Sequence, residues 1–427
     1  MNFLAKSWKK LKQNLQDKFL VLFENKSKVN IIIDILVFIS FFAAFLSIPL
    51  CSFRSGLNKI TWIFTILFLV FMLISIFLFN KIKVDKISFS LCLFVFWMIV
   101  CTLFNINLHK YIVFTPILLS VSTCVIYIFI SQNKQYGTAF INIVFMSILL
   151  FTFYYLFTYF DELKSFNFKR LGETFGDIND IAICFGIGFS ICFSLIFNSK
   201  FNIVKIVFLV ASLLLFGLCG LSTGSKVFLL IVVVTSLFTI IRFMYKKQFK
   251  WYFYVLIVGA LVAAFVAVIS LPAFETIKRR LLDFLNPKSG DQSTEIRLQM
   301  FVDGFYMMLR KPLFGFGMSG YFTSSSFGGS WSHNNFSELL CSYGVIGFIL
   351  FYVPYILSLK SKKNYENKYL NDVTRVLMIT FICCMFTVAL ESQKVFAYSI
   401  PIFYSLYDGD SIVLFDVKQY KQKVKQK

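Results

Sequence analysis

Of the two histidines in this 427-residue chain, His333 stands among other groups able to do chemistry. The run Ser332-His333-Asn334-Asn335, with Glu338 three positions on, closes a serine- and glycine-rich stretch and opens an apolar segment. An imidazole titrates near neutrality, so it can take a proton from a hydroxyl, an effect worth roughly 10²–10⁴ in rate. A histidine at such a place can equally be a plain helix cap, and the residues alone leave both readings open. Asn334, Asn335 and Glu338 are the adjoining polar candidates for contact with a substrate. His109, in the short turn Asn107-Leu108-His109-Lys110, has no such company.

Upstream, Ser293-Thr294-Glu295-Ile296-Arg297 has the form of a first helical turn, followed by Leu298, Phe301, Phe305 and Met308 at membrane-facing spacing. A guanidinium is always charged and presents a planar fork of donors, so Arg297 near a helix N-terminus suits phosphate oxygens. An ion pair with Glu295 or Asp303 is the alternative. Two further polar segments carry cations: the loop Lys169-Arg170-Leu171-Gly172-Glu173-Thr174-Phe175-Gly176-Asp177-Ile178-Asn179-Asp180, and the turn Ser222-Thr223-Gly224-Ser225-Lys226. Asp177 or Asn179 can cap the helix that follows. The turn before Lys226 lacks the glycine spacing of a nucleotide phosphate loop, so ATP is not implied.

The elements that must position these groups are membrane helices. Hydrophobic residues make up 58% of the chain and the mean hydropathy is +0.76, more than a soluble core and surface can share out. Spans long enough to cross roughly 30 Å of hydrocarbon are expected near 31–51, 60–80, 87–106, 111–130, 138–160, 180–197, 204–220, 227–244, 251–271, 336–358 and 374–391. A twelfth near 395–415 carries Asp408 and Asp410 and is either a span or a short, re-entrant helix. The expected fold class is therefore an all-α polytopic membrane protein of about 11–12 transmembrane helices. Residues 1–30 form a basic amphipathic cytoplasmic segment, residues 31–417 the membrane domain with outer loops 161–179 and 272–335, and residues 418–427 a basic cytoplasmic tail. The lysine-rich N-terminal segment lacks the small-residue cleavage pattern of a signal peptide.

The net charge of +21 does not point to nucleic acid, because the cations fall between apolar spans and not along one face. With the N-terminus inside, 27 of the 42 Lys and Arg lie on the inward side and 15 on the outward side, which sets the orientation. Ten of those 15 crowd into the loops 161–179 and 272–335, where they either balance local acids or meet an anion arriving there. The ten cysteines lie mostly within apolar runs, as small core hydrophobes. Asp408-Gly409-Asp410 has the form of a metal-binding pair but reads as a solvated turn, so no metal is expected.

From Arg297 through Pro312-Leu313-Phe314-Gly315-Phe316-Gly317 to His333-Asn334-Asn335 and Tyr343-Gly344-Val345-Ile346-Gly347, the chain resembles the bacterial O-antigen ligase and polymerase family. The Arg170…Gly172…Asn179 loop and the Thr223-Gly224-Ser225-Lys226 step resemble the family's earlier motifs, in the same order. Lys226 departs from the arginine common there, which keeps the charge and loses the bidentate fork. Glu338 and Tyr343-Gly344 look more like the polymerases than the ligases.

The resemblance implies a GT-C-like, metal-independent, inverting glycosyltransferase that needs no cofactor. Its site would face outward from the bacterial cytoplasmic membrane. It further implies a polyprenyl-diphosphate-linked glycan as donor and acceptor, membrane lipid as surroundings, and a flippase and chain-length regulator as partners, with no nucleic acid. His333, Arg297 and Arg170 would be catalytic, and Lys226, Asn179, Asn334, Asn335 and Glu338 would bind substrate. The rival expectations are a ligase transferring glycan to a lipid A core and a transporter or flippase. A transporter should carry its polar groups at mid-membrane, not in outer loops.

Overall fold

A computed structural model describes residues 28–51, 58–78, 81–105, 114–164, 171, 177–198, 202–248, 250, 292–360, 368–388, 393–405 and 411–416, with scattered positions between 252 and 282. In chain order the elements are α1 (Lys28–Cys51), α2 (Asn58–Leu78), β1 (Lys81–Asp85), α3 (Lys86–Leu103), α4 (Phe114–Gln132), α5 (Lys134–Thr158), α6 (Phe160–Lys164), α7 (Ile178–Asn198), α8 (Ile203–Ser222) and α9 (Lys226–Lys246). There follow α10 (Gln292–Arg310), α11 (Gly320–Ser324), α12 (Asn335–Lys360), α13 (Lys368–Met385), α14 (Lys394–Tyr404) and β2 (Ser411–Asp416).

Nine of the described helices, α1–α5, α7–α9 and α12, are long and apolar enough to cross a membrane. The expected span 251–271 lies mostly outside the described residues, as do the segment 1–27, Asp408–Asp410 and the tail. Large apolar side chains face outward, among them Phe157, Phe77 and Leu103. Lipid makes that arrangement stable where water would not.

Buried aromatic rings fill the interior. Phe41, Phe68, Phe140 and Tyr398 join α1, α2, α5 and α14, with Phe41 and Phe140 at 4.4 Å and Phe68 edge-on to Tyr398 at 5.2 Å. Among the buried polar groups, the carboxylates Asp34 and Asp372 are answered internally, as an apolar surrounding demands. Asp34 of α1 accepts from Ser75 of α2 at 2.7 Å and from Tyr136 of α5 at 2.6 Å. At the end of the bundle formed by the close of α9 and the start of α13, Asp372 is 2% exposed and receives Arg242 at 2.9 Å and Lys246 at 2.5 Å.

Two features depart from the expected spans. The region expected as a span near 395–415 is an 11-residue helix, α14, followed by strand β2. At about 1.5 Å per residue such a helix covers only about half of the hydrocarbon. β2 pairs antiparallel with β1, Asp85 opposite Ser411 and Lys81 opposite Asp416. Asp85 also closes a capping box with Ser88 at the start of α3 and accepts from Tyr127 of α4, so the ribbon is tied to the bundle.

The second departure is α12, where hydropathy predicts one span near 336–358. The backbone reverses at Gly344 (φ 65°, ψ −170°), dividing α12 into arms 335–343 and 345–360. Side chains eight or nine residues to either side of Gly344 meet: Asn335 donates to the Tyr352 hydroxyl at 2.9 Å, and the Phe336 ring stacks on Tyr352 at 5.5 Å. A straight helix would hold positions 17 residues apart about 25 Å from one another. α12 is therefore a helical hairpin and, though long and apolar enough, does not cross as one straight span.

Candidate functional site

The hairpin bend and the Pro312–Gly317 turn are one device. Val345 N–H donates to the Pro312 carbonyl at 2.8 Å, Phe316 N–H to Cys341 at 2.8 Å, and Gly317 N–H to Ser342 at 2.9 Å. A side chain at Gly315 (φ 62°) would meet Cys341 and Ser342 backbone at 2.5 Å, and one at Gly344 would meet the Leu313 carbonyl oxygen at 2.3 Å. Only glycine permits both the left-handed backbone and the close approach. The C-terminal end of α3 completes the clamp: Trp97 donates to the Tyr343 carbonyl at 2.9 Å and stacks on Phe314 at 5.0 Å, and Lys311 donates to Asn105 at 2.5 Å.

This clamp aligns α10 with the first arm of α12. Gly304 packs on Ser337, and Met307 lies 3.6 Å from the Cys341 thiol, so the two helices run parallel, the start of the arm level with the middle of α10. The short helix α11 is fastened to α10 by Tyr321, whose hydroxyl donates to the Met300 carbonyl at 3.0 Å. Asp303 accepts the Ser326 N–H at 3.2 Å, folding the serine-rich loop onto α10. Arg297, in the second turn of α10, and His333, just ahead of the first arm, thus come to the same place.

His333 is half-buried and has a left-handed backbone, φ 50°. Burial and the positive charge of Arg297 push its imidazole below the ordinary histidine pKa, while the negative charge of Asp177 pulls the other way. The outcome is a neutral ring at physiological pH, able to accept a proton.

Asp177 brings the start of α7 to this site. Its carboxylate accepts the Asn179 N–H at 2.8 Å, which is the capping role that its sequence position allowed. Asn179 itself accepts from Ser225 at 2.9 Å, which sets the α8–α9 turn and Lys226 beside α7. Leu171 N–H donates to the Ser222 carbonyl at 2.9 Å, and Tyr155 meets the Ser222 hydroxyl at 2.9 Å, fixing the same turn from α5. Arg170 lies outside the described residues.

The remaining sequence candidates stand within the architecture of the arm. Asn334 caps it, accepting from Phe336 at 2.9 Å and Ser337 at 3.2 Å. Asn335 and Glu338 are fully buried, Asn335 against Tyr352 and Glu338 against Ser332 and Ser342. Of the groups near His333, the charge of Asp177 is legible in the sequence only as a cap, because its approach depends on tertiary packing that brings the start of α7 to the His333 loop. Trp331, two residues ahead of His333, pairs with Phe322 at 5.5 Å. Periodicity gives no sign of that pairing.

Taken together, the site offers a neutral imidazole, a guanidinium, and Lys226 on a neighbouring turn, gathered at one end of a membrane bundle. That combination can accept a proton from a hydroxyl while holding an anion. Among the described residues no three His, Cys, Asp or Glu side chains gather closely enough to share a metal ion.

No curated protein matches the chain. Residues 209–352 match the O-antigen ligase family model, a stretch that begins within α8, ends at Tyr352 on the second arm of the hairpin, and includes Lys226, Arg297 and His333. The chain therefore carries an O-antigen ligase domain, of a family of multi-pass inner-membrane glycosyltransferases that takes in both polymerases and ligases and works on lipid-linked glycans.

Proposed function

We propose that this protein polymerises polyprenyl-diphosphate-linked oligosaccharide repeat units into O-antigen or capsular polysaccharide on the outer face of the cytoplasmic membrane. The observation that carries the chemistry is the half-buried His333 facing Arg297, whose charge, with burial, pushes the imidazole below the ordinary histidine pKa. His333 takes the proton of an acceptor sugar hydroxyl as that oxygen attacks the anomeric carbon of the donor. The bond from that carbon to the diphosphate breaks as the new glycosidic bond forms, and the configuration inverts. Negative charge grows on the departing diphosphate, where Arg297 stabilises it together with Arg170 and the ammonium of Lys226. No step in this scheme requires a metal.

The outward orientation rests on the distribution of Lys and Arg, and the preference for polymerase rests on Glu338 and Tyr343-Gly344. Under this reading Asn179 acts by fixing the Lys226 turn, while Asn334 and Asn335 act by fixing the arm that carries His333. The test is the length ladder of surface polysaccharide from cells carrying wild-type protein, His333→Ala or Arg297→Ala, each at matched membrane level. Loss of long chains with single repeats still reaching the surface is the expected result. Loss of every attached chain, single repeats included, would show a ligase instead. An unchanged ladder would sink the catalytic assignment.

A further inference from the structure

Glu338 is fully buried, and both carboxylate oxygens are engaged. One accepts the Ser332 N–H at 3.1 Å, and the other accepts the Ser342 hydroxyl at 3.3 Å. These partners sit at opposite ends of the first arm of α12. Ser332 directly precedes His333. Ser342 precedes the Tyr343-Gly344 bend, and its carbonyl receives Gly317 N–H from the facing turn.

Between them, His333 keeps a left-handed backbone, which a side chain other than glycine holds only when its surroundings fix it. Those surroundings are on both sides. The Ser332 hydroxyl donates to the Asn334 carbonyl at 2.8 Å, across His333, and Asn334 is itself locked as the cap of the arm. The remaining tether, on the Ser332 N–H, is Glu338. Its full burial leaves a glycan hydroxyl no open approach to this carboxylate.

We propose that Glu338 is a positioning residue for glycosyl transfer: its buried carboxylate holds the Ser332 backbone and so keeps His333 in the left-handed conformation that places it beside Arg297 and Asp177. This rests on the reading of His333 as the base. It assigns Glu338 no contact with sugar, diphosphate or the reacting atoms. Among the described residues, the charged groups facing His333 are Arg297 of α10 and Asp177 ahead of α7. A loosened loop would change the distance of the imidazole from both.

The test uses the full chain in membrane vesicles supplied with lipid-linked repeat units, with kcat, KM and the pH profile measured for each variant. Glu338→Leu removes the tether and should lower kcat by about 10²-fold with KM unchanged. Its acidic limb should also move away from the wild-type position. Glu338→Gln still offers an oxygen to Ser332 and an amide to Ser342, and should stay within about threefold of wild type with an unmoved limb. Equal impairment of both variants, or a rise in KM with kcat preserved, would overturn the inference in favour of direct contact with the glycan. Should Glu338→Leu fail to reach wild-type membrane level, Ser342→Ala takes its place. Lower kcat at constant KM is then expected, and full activity would overturn the inference. A fully active Glu338→Leu beside an inactive His333→Ala defeats this inference alone, whereas an active His333→Ala defeats the reading on which it rests.

Discussion

At His333 two opposing charges and partial burial meet on one imidazole, and the pH dependence of transfer should report their balance. Arg297 pushes the imidazole pKa down, so removing that charge lets it rise. In Arg297→Ala a smaller fraction of His333 is then neutral at mildly acid pH, and the acidic limb of kcat/KM should move to higher pH. Arg297→Lys keeps the charge and should leave the limb nearly in place, while loss of the planar fork lowers the rate by about tenfold or more. A pH series on vesicles carrying each variant reads both effects, and identical limbs in wild type and Arg297→Ala would refute the electrostatic link. The sequence made His333 and Arg297 conspicuous because charged and titratable groups are rare in so apolar a chain. Asn335 and Glu338 were equally conspicuous and were read as substrate contacts. Their burial was not legible, since it depends on an arm folding back toward Tyr352.

At the scale of elements, a single backbone angle sets that fold-back. Hydropathy averaged over a window finds apolar length, and it found the helices α1–α5 and α7–α9 close to where they lie. It cannot see a reversal, because residues 335–360 stay apolar on average through the turn. The glycines of Pro312–Gly317 and Tyr343–Gly347 appeared in sequence only as marks of family resemblance, and their pairing explains why both runs need them. Gly344→Ala should therefore be costly: the left-handed angle alone costs about 1–3 kcal/mol, and the new methyl lands 2.3 Å from the Leu313 oxygen. We expect a lower thermal midpoint in detergent and a shortened polysaccharide ladder from the protein that remains. Val345→Ala, at a position without a left-handed angle, should lower the midpoint less. Equal midpoints for Gly344→Ala and wild type would mean that the clamp between the two runs contributes little.

Over the whole molecule, the two ends of the bundle are held by different physics. The end bearing His333 is organised by helix starts, tight turns and backbone hydrogen bonds, which leaves its cations near a surface where an anion can arrive. The other end of α9 is pinned to α13 by Asp372, a carboxylate 2% exposed and shared by Arg242 and Lys246, themselves 26% and 29% exposed. Removing one member of such a buried set strands the others. By analogy with buried pairs, Asp372→Ala should cost up to about 3–5 kcal/mol, less whatever solvation the two cations recover through their exposed atoms. Asp372→Asn retains hydrogen-bond acceptance and should cost less. Because this pin lies at the far end from His333, the loss should appear as reduced membrane level and thermal midpoint, with kcat per folded molecule unchanged. Protein-normalised vesicle assays distinguish that outcome from its opposite: a fall in kcat at full membrane level would mean that the α9–α13 contact governs the geometry of the Lys226 turn through the length of α9.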